Sequence, residues 1–400
     1  MSYTSESEQL LTDNKIKRNA SKKKAIISTV IFISVLICIG VATALIIIFT
    51  SPATHKWTTI LQCRQNTSTT EEPEQMATLF YDKATKILYA GGGSDINQKV
   101  VPTLYRSLDQ GKTWSVSLRT DSDHFSMYGT NKLDDGTVLV ISSDDLYQSK
   151  DNGVTWSKTA GMSNLGFSMA YNDSVLMLSR VDGTIYRSVD NAKTFEIVTY
   201  IDQLGQNQIN MRCQTYSGSG NFYFGISYTD VATATNQHAQ IYQSTDYGKS
   251  YKLIFDKVSS IFDDTVFSIK AVNNNIILAG TGAPNGDDTK IFRSTDSGKT
   301  WTQIIDFIQL DSSLRVVRSF YIAANQTIYA AVDCSYSSND IFDDTPNTNK
   351  NSAIYYSLDQ GLSWKLHSKT NTKRLYWVTE AENQVLIASS GEFGQILRYE

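Results

Sequence analysis

Five basic residues in the second half of the chain lie at the start of, or within, segments that read as short strands. They are Arg212, Lys270, Arg315, Arg318 and Arg374. A guanidinium can donate two parallel hydrogen bonds to one carboxylate or phosphate group, and a lysine amine binds the same groups as a point charge. If the strands converge, these side chains predict a site for an anionic ligand. The alternative is a structural role, because cations often pair with acidic loops and stabilise a fold.

Acidic residues are concentrated in the loops of the same half of the chain, at Asp263-Asp264, Asp287-Asp288, Asp340 and Asp343-Asp344. They could form a cation or sugar site, or they could be solvated loop residues. Their spacing does not match a calcium-binding loop, and we predict neither a metal site nor a cofactor. The longest loop, 336–351, is either a cover for a functional site or flexible filler.

A turn unit that recurs six times separates these segments. Its pattern is Ser-x-Asp-x-Gly-x-Thr/Ser-aromatic, and the copies occupy residues 107–114, 149–156, 188–195, 244–251, 294–301 and 357–364, with Ala192 in place of the glycine in the third copy. The Asp side chain can bond backbone N–H groups further along the turn, and the glycine takes the positive φ angle that the turn needs. The aromatic residue then enters the next strand and packs.

This pattern resembles the Asp-box, or bacterial neuraminidase repeat, of sialidases, sortilin-type receptors, xyloglucanases and a photosystem II assembly factor. The resemblance covers residues 57–400 and implies a β-propeller in which the boxes are structural turns far from the ligand site. We therefore interpret the six box aspartates as structural and not as catalytic: Asp109, Asp151, Asp190, Asp246, Asp296 and Asp359.

The runs between the boxes predict the architecture. Four short strands can be assigned to each unit, and the units repeat every 39 to 63 residues, which is typical of β-propeller blades. Inner strands are predicted at 125–128, 167–171, 211–216, 266–269, 316–321 and 375–378. A seventh unit begins at Leu375 and lacks a box and a fourth strand, whereas Trp57–Leu61 resembles a strand that follows a box. We predict an all-β, seven-bladed propeller closed by Trp57–Leu61; the alternative is a three-stranded last blade with Trp57 in a stalk.

The N-terminus differs from the rest of the chain. Residues 1–24 carry six Lys/Arg and three acidic residues, a net charge of +3, and residues 25–49 are uncharged and apolar. The apolar segment is long enough to cross a bilayer and longer than the apolar region of a cleaved signal peptide. Because the basic residues precede it, we predict a type II single-pass membrane protein with a disordered cytosolic tail (1–24), an anchor (25–49), a stalk (50–56) and an ectodomain (57–400). The ligand face of the ectodomain is then expected to point away from the bilayer.

Two features of the tail and the ectodomain follow from this topology. Glu6, Leu10 and Leu11 resemble the acidic dileucine signal that adaptor proteins read, which predicts endosomes or lysosomes as the location; without it, the plasma membrane is expected. Acceptor triplets for glycans begin at Asn66, Asn172 and Asn325.

The predicted ectodomain contains three cysteines, which is an odd number. They are Cys63, Cys213 and Cys334. We predict that Cys63 and Cys334 can form a disulfide, because both end strands on the same face of neighbouring blades. Cys213 is expected to be a buried thiol.

Two classes of function compete. The first is a binding module for a glycan, another anionic ligand or a protein. The second is a sialidase-like glycoside hydrolase, which would use an arginine cluster and a carboxylic acid. The Arg-Ile-Pro motif of sialidases is missing and sialidases have six blades, so binding is the preferred interpretation. Nucleic acid is not expected as a partner, because residues 25–400 carry a net charge of −7.

Overall fold

The described part of the chain is built almost entirely of β-strands. A computed structural model describes residues 56–62, 76–96, 99–121, 127–142, 145–163, 165–180, 183–200, 210–229, 237–259, 265–282, 289–334, 351–372, 374–390 and 394–399. These residues contain 28 strands and two short 3-10 helices, Phe307–Gln309 and Glu382–Gln384. The predicted all-β class is therefore confirmed, and Trp57–Glu400 is a compact unit.

Within the described residues, no helix has the length and apolarity needed to cross a bilayer. The predicted anchor, residues 25–49, lies outside the described residues, as do the tail with Glu6, Leu10 and Leu11 and most of the stalk. The type II topology stays a prediction.

The strands follow one another in units of four. Units one and two consist of β2 (Met76–Asp82), β3 (Ile87–Ile96), β4 (Lys99–Ser107), β5 (Ser115–Arg119), and β6 (Met127–Lys132), β7 (Val138–Ser142), β8 (Asp145–Ser149), β9 (Ser157–Lys158). Units three and four consist of β10 (Leu165–Asn172), β11 (Val175–Arg180), β12 (Thr184–Ser188), β13 (Glu196–Tyr200), and β14 (Asn210–Gly218), β15 (Asn221–Thr229), β16 (Gln237–Ser244), β17 (Lys252–Ser259). Units five and six consist of β18 (Thr265–Ala271), β19 (Ile277–Gly282), β20 (Lys290–Ser294), β21 (Thr302–Asp306), and β22 (Val316–Ile322), β23 (Ile328–Asp333), β24 (Ala353–Ser357), β25 (Lys365–Lys369).

The last unit combines the two ends of the described chain. Strands β26 (Trp377–Glu380), β27 (Leu386–Ser390) and β28 (Gln395–Tyr399) form a sheet with β1 (Trp57–Gln62) as its fourth strand. Strand β1 pairs antiparallel with β28, so that Trp57 lies opposite Tyr399 and Gln62 opposite Gln395. We call this sheet unit seven.

Strand pairing in every unit is antiparallel, and in units one to six it follows the order of the chain. The sheets of units five and six are also joined, where Gly282 pairs with Val316. The first strands of successive units contact one another in the order β2, β6, β10, β14, β18, β22 and β26, and β26 contacts β2. The first strands are therefore the inner strands, and they face a common centre.

Apolar layers between neighbouring units form the core. In one of them, Leu79 and Leu88 of unit one pack against Ile387 and Ile396 of unit seven. In another, Trp57 packs in a cluster with side chains of units six and seven, and its indole Nε1 donates to Ser368 Oγ of unit six at 2.9 Å. Each side chain removed from water in this way stabilises the fold by roughly 1.5–3 kcal/mol, so the contacts between units carry much of the stability.

The boxes are the turns between the third and fourth strands. In the fifth box, Ser294 Oγ donates to Asp296 Oδ1 at 2.8 Å and accepts from the Gly298 N–H at 2.8 Å. Asp296 also accepts from the N–H and the hydroxyl of Thr300 at 2.9 and 2.6 Å. These bonds, the Thr300 hydroxyl first, lower the pKa of the Asp296 carboxyl to about 2. Gly298 has φ +88°, a left-handed conformation that a glycine adopts without strain.

The boxes also link neighbouring units. In three units the arginine before the box serine donates to the backbone carbonyl of the fourth residue of the next box, and in unit seven, which has no box, Arg398 does the same from the equivalent strand position. The pairs are Arg106 with Asn152 (3.0 Å), Arg187 with Tyr247 (2.6 Å), Arg293 with Gln360 (3.0 Å) and Arg398 with Gln110 (3.3 Å). The last pair joins unit seven to unit one. The sequence alone did not reveal this role, because the two members of each pair lie in different units.

Candidate ligand-binding site

The inner strands enclose a cavity of about 340 Å³, and every unit contributes to its lining. A second cavity of about 110 Å³ lies at the starts of the same strands. The side chains around this second cavity are called the upper mouth here: Tyr128, Arg212, Phe267, Arg318, Tyr376 and Trp377.

The boxes lie at the opposite end of the inner strands. Each inner strand runs from the upper mouth to the turn that precedes the second strand, and in units four and five a backbone hydrogen bond joins this turn to the box of the same unit. In unit five, the box residue Ser297 donates its backbone N–H to the Asn275 carbonyl at 2.9 Å. The upper mouth and the boxes are therefore on opposite faces of the described structure.

Phe267 is the centre of the upper mouth. The Cζ atom of Arg212 lies 5.1 Å from the centroid of its ring, and that of Arg318 lies 4.8 Å from it. The Arg318 Cζ atom is also 5.0 Å from the centroid of the Tyr376 ring. Aromatic faces attract cations within about 6 Å, by ~0.5–2 kcal/mol for each contact. The rings of Phe267 and Tyr376 thus help to hold the positive charges of Arg212 and Arg318 close together.

Asp333 fixes the orientation of Arg318. The Nε of Arg318 lies 2.9 Å from Asp333 Oδ2, and the two side chains are 7% and 0% exposed. Asp333 is the last residue of β23, which pairs with β22 so that Asp333 lies opposite Val316. A buried carboxylate needs such a partner, because an isolated charge in the interior is very unfavourable.

Lys270 lines the large cavity at the end that is nearer the boxes. It lies three residues after Phe267 on β18, which corresponds to roughly 10 Å along the strand. Burial lowers the pKa of the Lys270 amine, and the positive charge of Lys83 lowers it further.

The structure brings together three of the five predicted cations. Arg212, Lys270 and Arg318 line the large cavity, whereas Arg315 and Arg374 are not among its described lining residues. Arg315 Nη1 donates to the backbone carbonyls of Ser312 and Leu314. Arg374 precedes β26 and is 5% exposed. The carbonyl bonds of Arg315 favour a structural role for this residue.

Only some of the other predicted residues lie within the described part of the chain. Cys63, Asn66 and the acidic loop residues at 263–264, 287–288, 340 and 343–344 lie outside the described residues. Asn172, the last residue of β10, and Asn325, in the turn after β22, are both exposed, and their glycosylation stays a prediction. Cys334 is buried in unit six, and a bridge to Cys63 stays a prediction. Cys213 is a buried free thiol, and burial raises the pKa of this thiol to about 12.

Sequence reasoning did not identify the aromatic residues of the upper mouth. Phe267, Tyr376 and Trp377 lie in or next to predicted inner strands, where an aromatic side chain is normally assigned to the core. The adjacent aromatic pair at 376–377 next to a predicted strand start was the available signal. Neither cavity has an Asp or Glu among its described lining residues, and the described residues contain no cluster of His, Cys, Asp or Glu that could hold a metal ion.

Comparisons with known proteins agree with this architecture. The family model Sortilin-Vps10, described as "Sortilin, neurotensin receptor 3", matches residues 239–395. The extracellular domain of BT4673 from B. thetaiotaomicron is similar in structure, with a TM-score of 0.57 and 11% identity over 84% of this chain and 40% of that chain. YCF48 from Cyanidioschyzon merolae has a TM-score of 0.53 and 12% identity over 86% of this chain and 98% of its own. The comparison with curated protein sequences gave no match.

These similarities concern the fold. The chain spans about two fifths of the length of the BT4673 domain, 40%, and nearly all of YCF48, 98%. Together with the six hydrogen-bonded boxes, they show that the chain contains a β-propeller of the Asp-box type. The propeller fold supports many functions, so the function has to be argued from the upper mouth.

Proposed function

We propose that this protein is a membrane-anchored, closed seven-bladed propeller that binds an anionic ligand outside the cytosol at the upper mouth. The closed seven-bladed form is supported by the pairing of β1 with β28 and by the bond from Arg398 to Gln110. The glycosidase remains the alternative function.

The observation that carries the binding proposal is the pair of guanidinium groups on the Phe267 ring, 5.1 and 4.8 Å from its centroid. The rings hold the two arginines side by side at a cavity, so a carboxylate, sulfate or phosphate group that enters meets both. Charge-assisted hydrogen bonds of this kind contribute roughly 1.5–3 kcal/mol each. The flanking aromatic rings can stack on a sugar or another apolar part of the ligand.

Long-range electrostatics favours the same site. Residues 25–400 carry a net charge of −7, so an anionic ligand is repelled by most of the ectodomain surface. A local concentration of positive charge at a cavity then attracts the ligand specifically and accelerates its association.

The anchor completes the proposal. Residues 25–49 would cross the bilayer and leave 1–24 in the cytosol, where Leu10 and Leu11 would be read by adaptor proteins for sorting to endosomes or lysosomes. Trp57 pairs with Tyr399 at the box end of β28, so a tether that ends there would reach the box face. The upper mouth is then expected on the side away from the bilayer.

The experiment uses the full-length protein in detergent micelles. Sialylated, sulfated and phosphorylated glycans and acidic peptides are screened on an array, and each hit is measured by calorimetry. We expect Arg212→Gln to weaken binding about tenfold or more, since one lost charge-assisted contact corresponds to about one decade in affinity. Arg119→Gln is the matched control, because Arg119 is an exposed residue at the end of β5 and lines neither cavity.

Two outcomes would decide against the proposal. Equal affinities of Arg212→Gln and the wild type, in a folded protein, would exclude the upper mouth as the site. Turnover of a panel of fluorogenic glycosides by the wild type would favour the hydrolase instead.

A further inference from the structure

The box end of the large cavity contains a second pair of cations, Lys270 and Lys83. Lys270 belongs to β18 of unit five, and Lys83 lies in the turn after β2 of unit one. Both line the same cavity, although units five and one are not neighbours along the row of inner strands. The two amines therefore approach the cavity from different sides.

Lys270 has an unusual environment for a lysine at this end. Among the described residues, its amine has no hydrogen-bond or ion-pair partner, and its strongest electrostatic neighbour is the like charge of Lys83. Nearby lysines are paired with carboxylates: Lys132 with Asp82 at 2.5 Å and Lys86 with Glu382 at 2.7 Å. Lys270 is half-buried, and a charge that is partly withdrawn from water without a counter-ion is unfavourable; a bound anion would lower this cost.

The wall between the two cationic ends also has unused hydrogen-bonding groups. The hydroxyls of Ser168 and Ser319 belong to side chains that are 6% and 2% exposed, and both residues line the cavity. Neither hydroxyl has a hydrogen-bond partner among the described residues. Buried polar groups are normally bonded, so these hydroxyls indicate a cavity that is filled by a polar partner.

We propose that Lys270 and Lys83 form a second anion site inside the cavity, which binds one carboxylate, sulfate or phosphate group. The site lies roughly 10 Å along β18 from Phe267, so it is distinct from the upper mouth. It rests on the position of Lys270 and does not require that the proposed function at the upper mouth is correct.

The test measures how fast each lysine of the full-length protein in detergent is acetylated by an amine-reactive ester, residue by residue, by mass spectrometry. Inorganic sulfate, inorganic phosphate and acetate are the probes, and chloride at equal ionic strength is the reference. We expect sulfate or phosphate to slow the acetylation of Lys270 about tenfold or more relative to chloride, because a bound anion keeps the amine protonated and shielded. Lys86, which is exposed and already paired with Glu382, should show no anion-specific change.

Two variants test the second anion site independently of the upper mouth. Lys83→Gln removes the second cation from an exposed turn and should raise the sulfate concentration needed for half-protection of Lys270 about tenfold. Arg212→Gln disrupts the upper mouth and should leave the protection of Lys270 unchanged, so a failure of the proposed function would be visible separately. Equal acetylation rates of Lys270 in chloride, acetate, sulfate and phosphate would overturn the second site, as would protection that is unaffected by Lys83→Gln.

Discussion

The buried pair of Arg318 and Asp333 provides the sharpest test of the upper mouth. Replacing Asp333 by Asn keeps the shape of the side chain and removes its charge. At about 3 Å and an effective dielectric constant of ~20, the lost attraction is roughly 5 kcal/mol, and the removal of one partner from a buried pair typically costs about 3–5 kcal/mol in stability. The side-chain exposures of 7% and 0% put this pair in the buried class.

This free energy converts into a measurable change in melting temperature. The entropy of unfolding is roughly 2.1 cal/mol/K per residue, so a unit of about 340 residues has about 0.7 kcal/mol/K. We therefore expect Asp333→Asn to lower the melting temperature by about 4–7 °C in differential scanning calorimetry. The surviving folded protein should bind an anionic ligand more tightly, because the negative charge beside Arg318 is gone.

Two control variants make the result interpretable. Lys158→Gln breaks an ion pair with Asp145 in which the lysine side chain is 53% exposed, and surface pairs of this kind contribute roughly 0–1 kcal/mol. The double variant Arg318→Met with Asp333→Asn removes both buried charges and should recover at least half of the lost stability. A melting temperature of Asp333→Asn no lower than that of Lys158→Gln would refute the reasoning, since Arg318 would then not depend on its buried partner.

Four further predictions concern the boxes, the closing strand and the tail. Asp296→Ala should reduce the free energy of unfolding in urea by about 0.5–2 kcal/mol, as other turn and cap losses do, without changing ligand affinity in calorimetry; a collapse of affinity in a stable variant would contradict this. The pKa of Asp296 is lowered from 3.8 to about 2 in the folded state. Its contribution to stability is therefore present above pH 3.8 and is lost as the pH falls towards 2. Asp296→Asn should make the melting temperature depend less on pH between 3.8 and 2. Deletion of residues 57–62 should lower the melting temperature, because it exposes the edge of β28 and uncovers the side chains of unit six that pack on Trp57; an unchanged value would refute closure. Leu10→Ala with Leu11→Ala should move the protein from endosomes or lysosomes to the plasma membrane, and an unchanged distribution in microscopy would reduce the motif to coincidence.

Much of the fold was predictable because the boxes are local structures. The bonds of Ser294, Asp296 and Thr300 lie within one turn, so the residue types in a short window specify them. Strand ends were less predictable. The second inner strand was predicted at 125–128 and is observed at Met127–Lys132, because its extent depends on pairing with β7, where Lys132 lies opposite Val138. The side chains at 122–126 lie outside the described residues.

The candidate site was predictable only in part, since its geometry depends on contacts between units. A position at the start of, or within, a predicted inner strand was the criterion for all five cations, but the direction of the side chain and the twist of each strand decide which of them reach the cavity. Arg315 instead bonds the backbone of its own turn. The partner of Arg318 could not be inferred either, because Asp333 lies beside it only through the register of β22 with β23.

The two faces of the propeller have different physical tasks, and this division explains how the cations can be tolerated. On the box face, arginines such as Arg187 and Arg398 bond the carbonyls of the next box, and the box aspartates are satisfied within their own turns. Stability is therefore supplied by these turns and by the apolar layers between units. The cavity can then hold cations such as Lys270 at a cost in stability, as binding sites commonly do. A ligand that neutralised those cations would recover this cost, so binding should also raise the melting temperature of the protein.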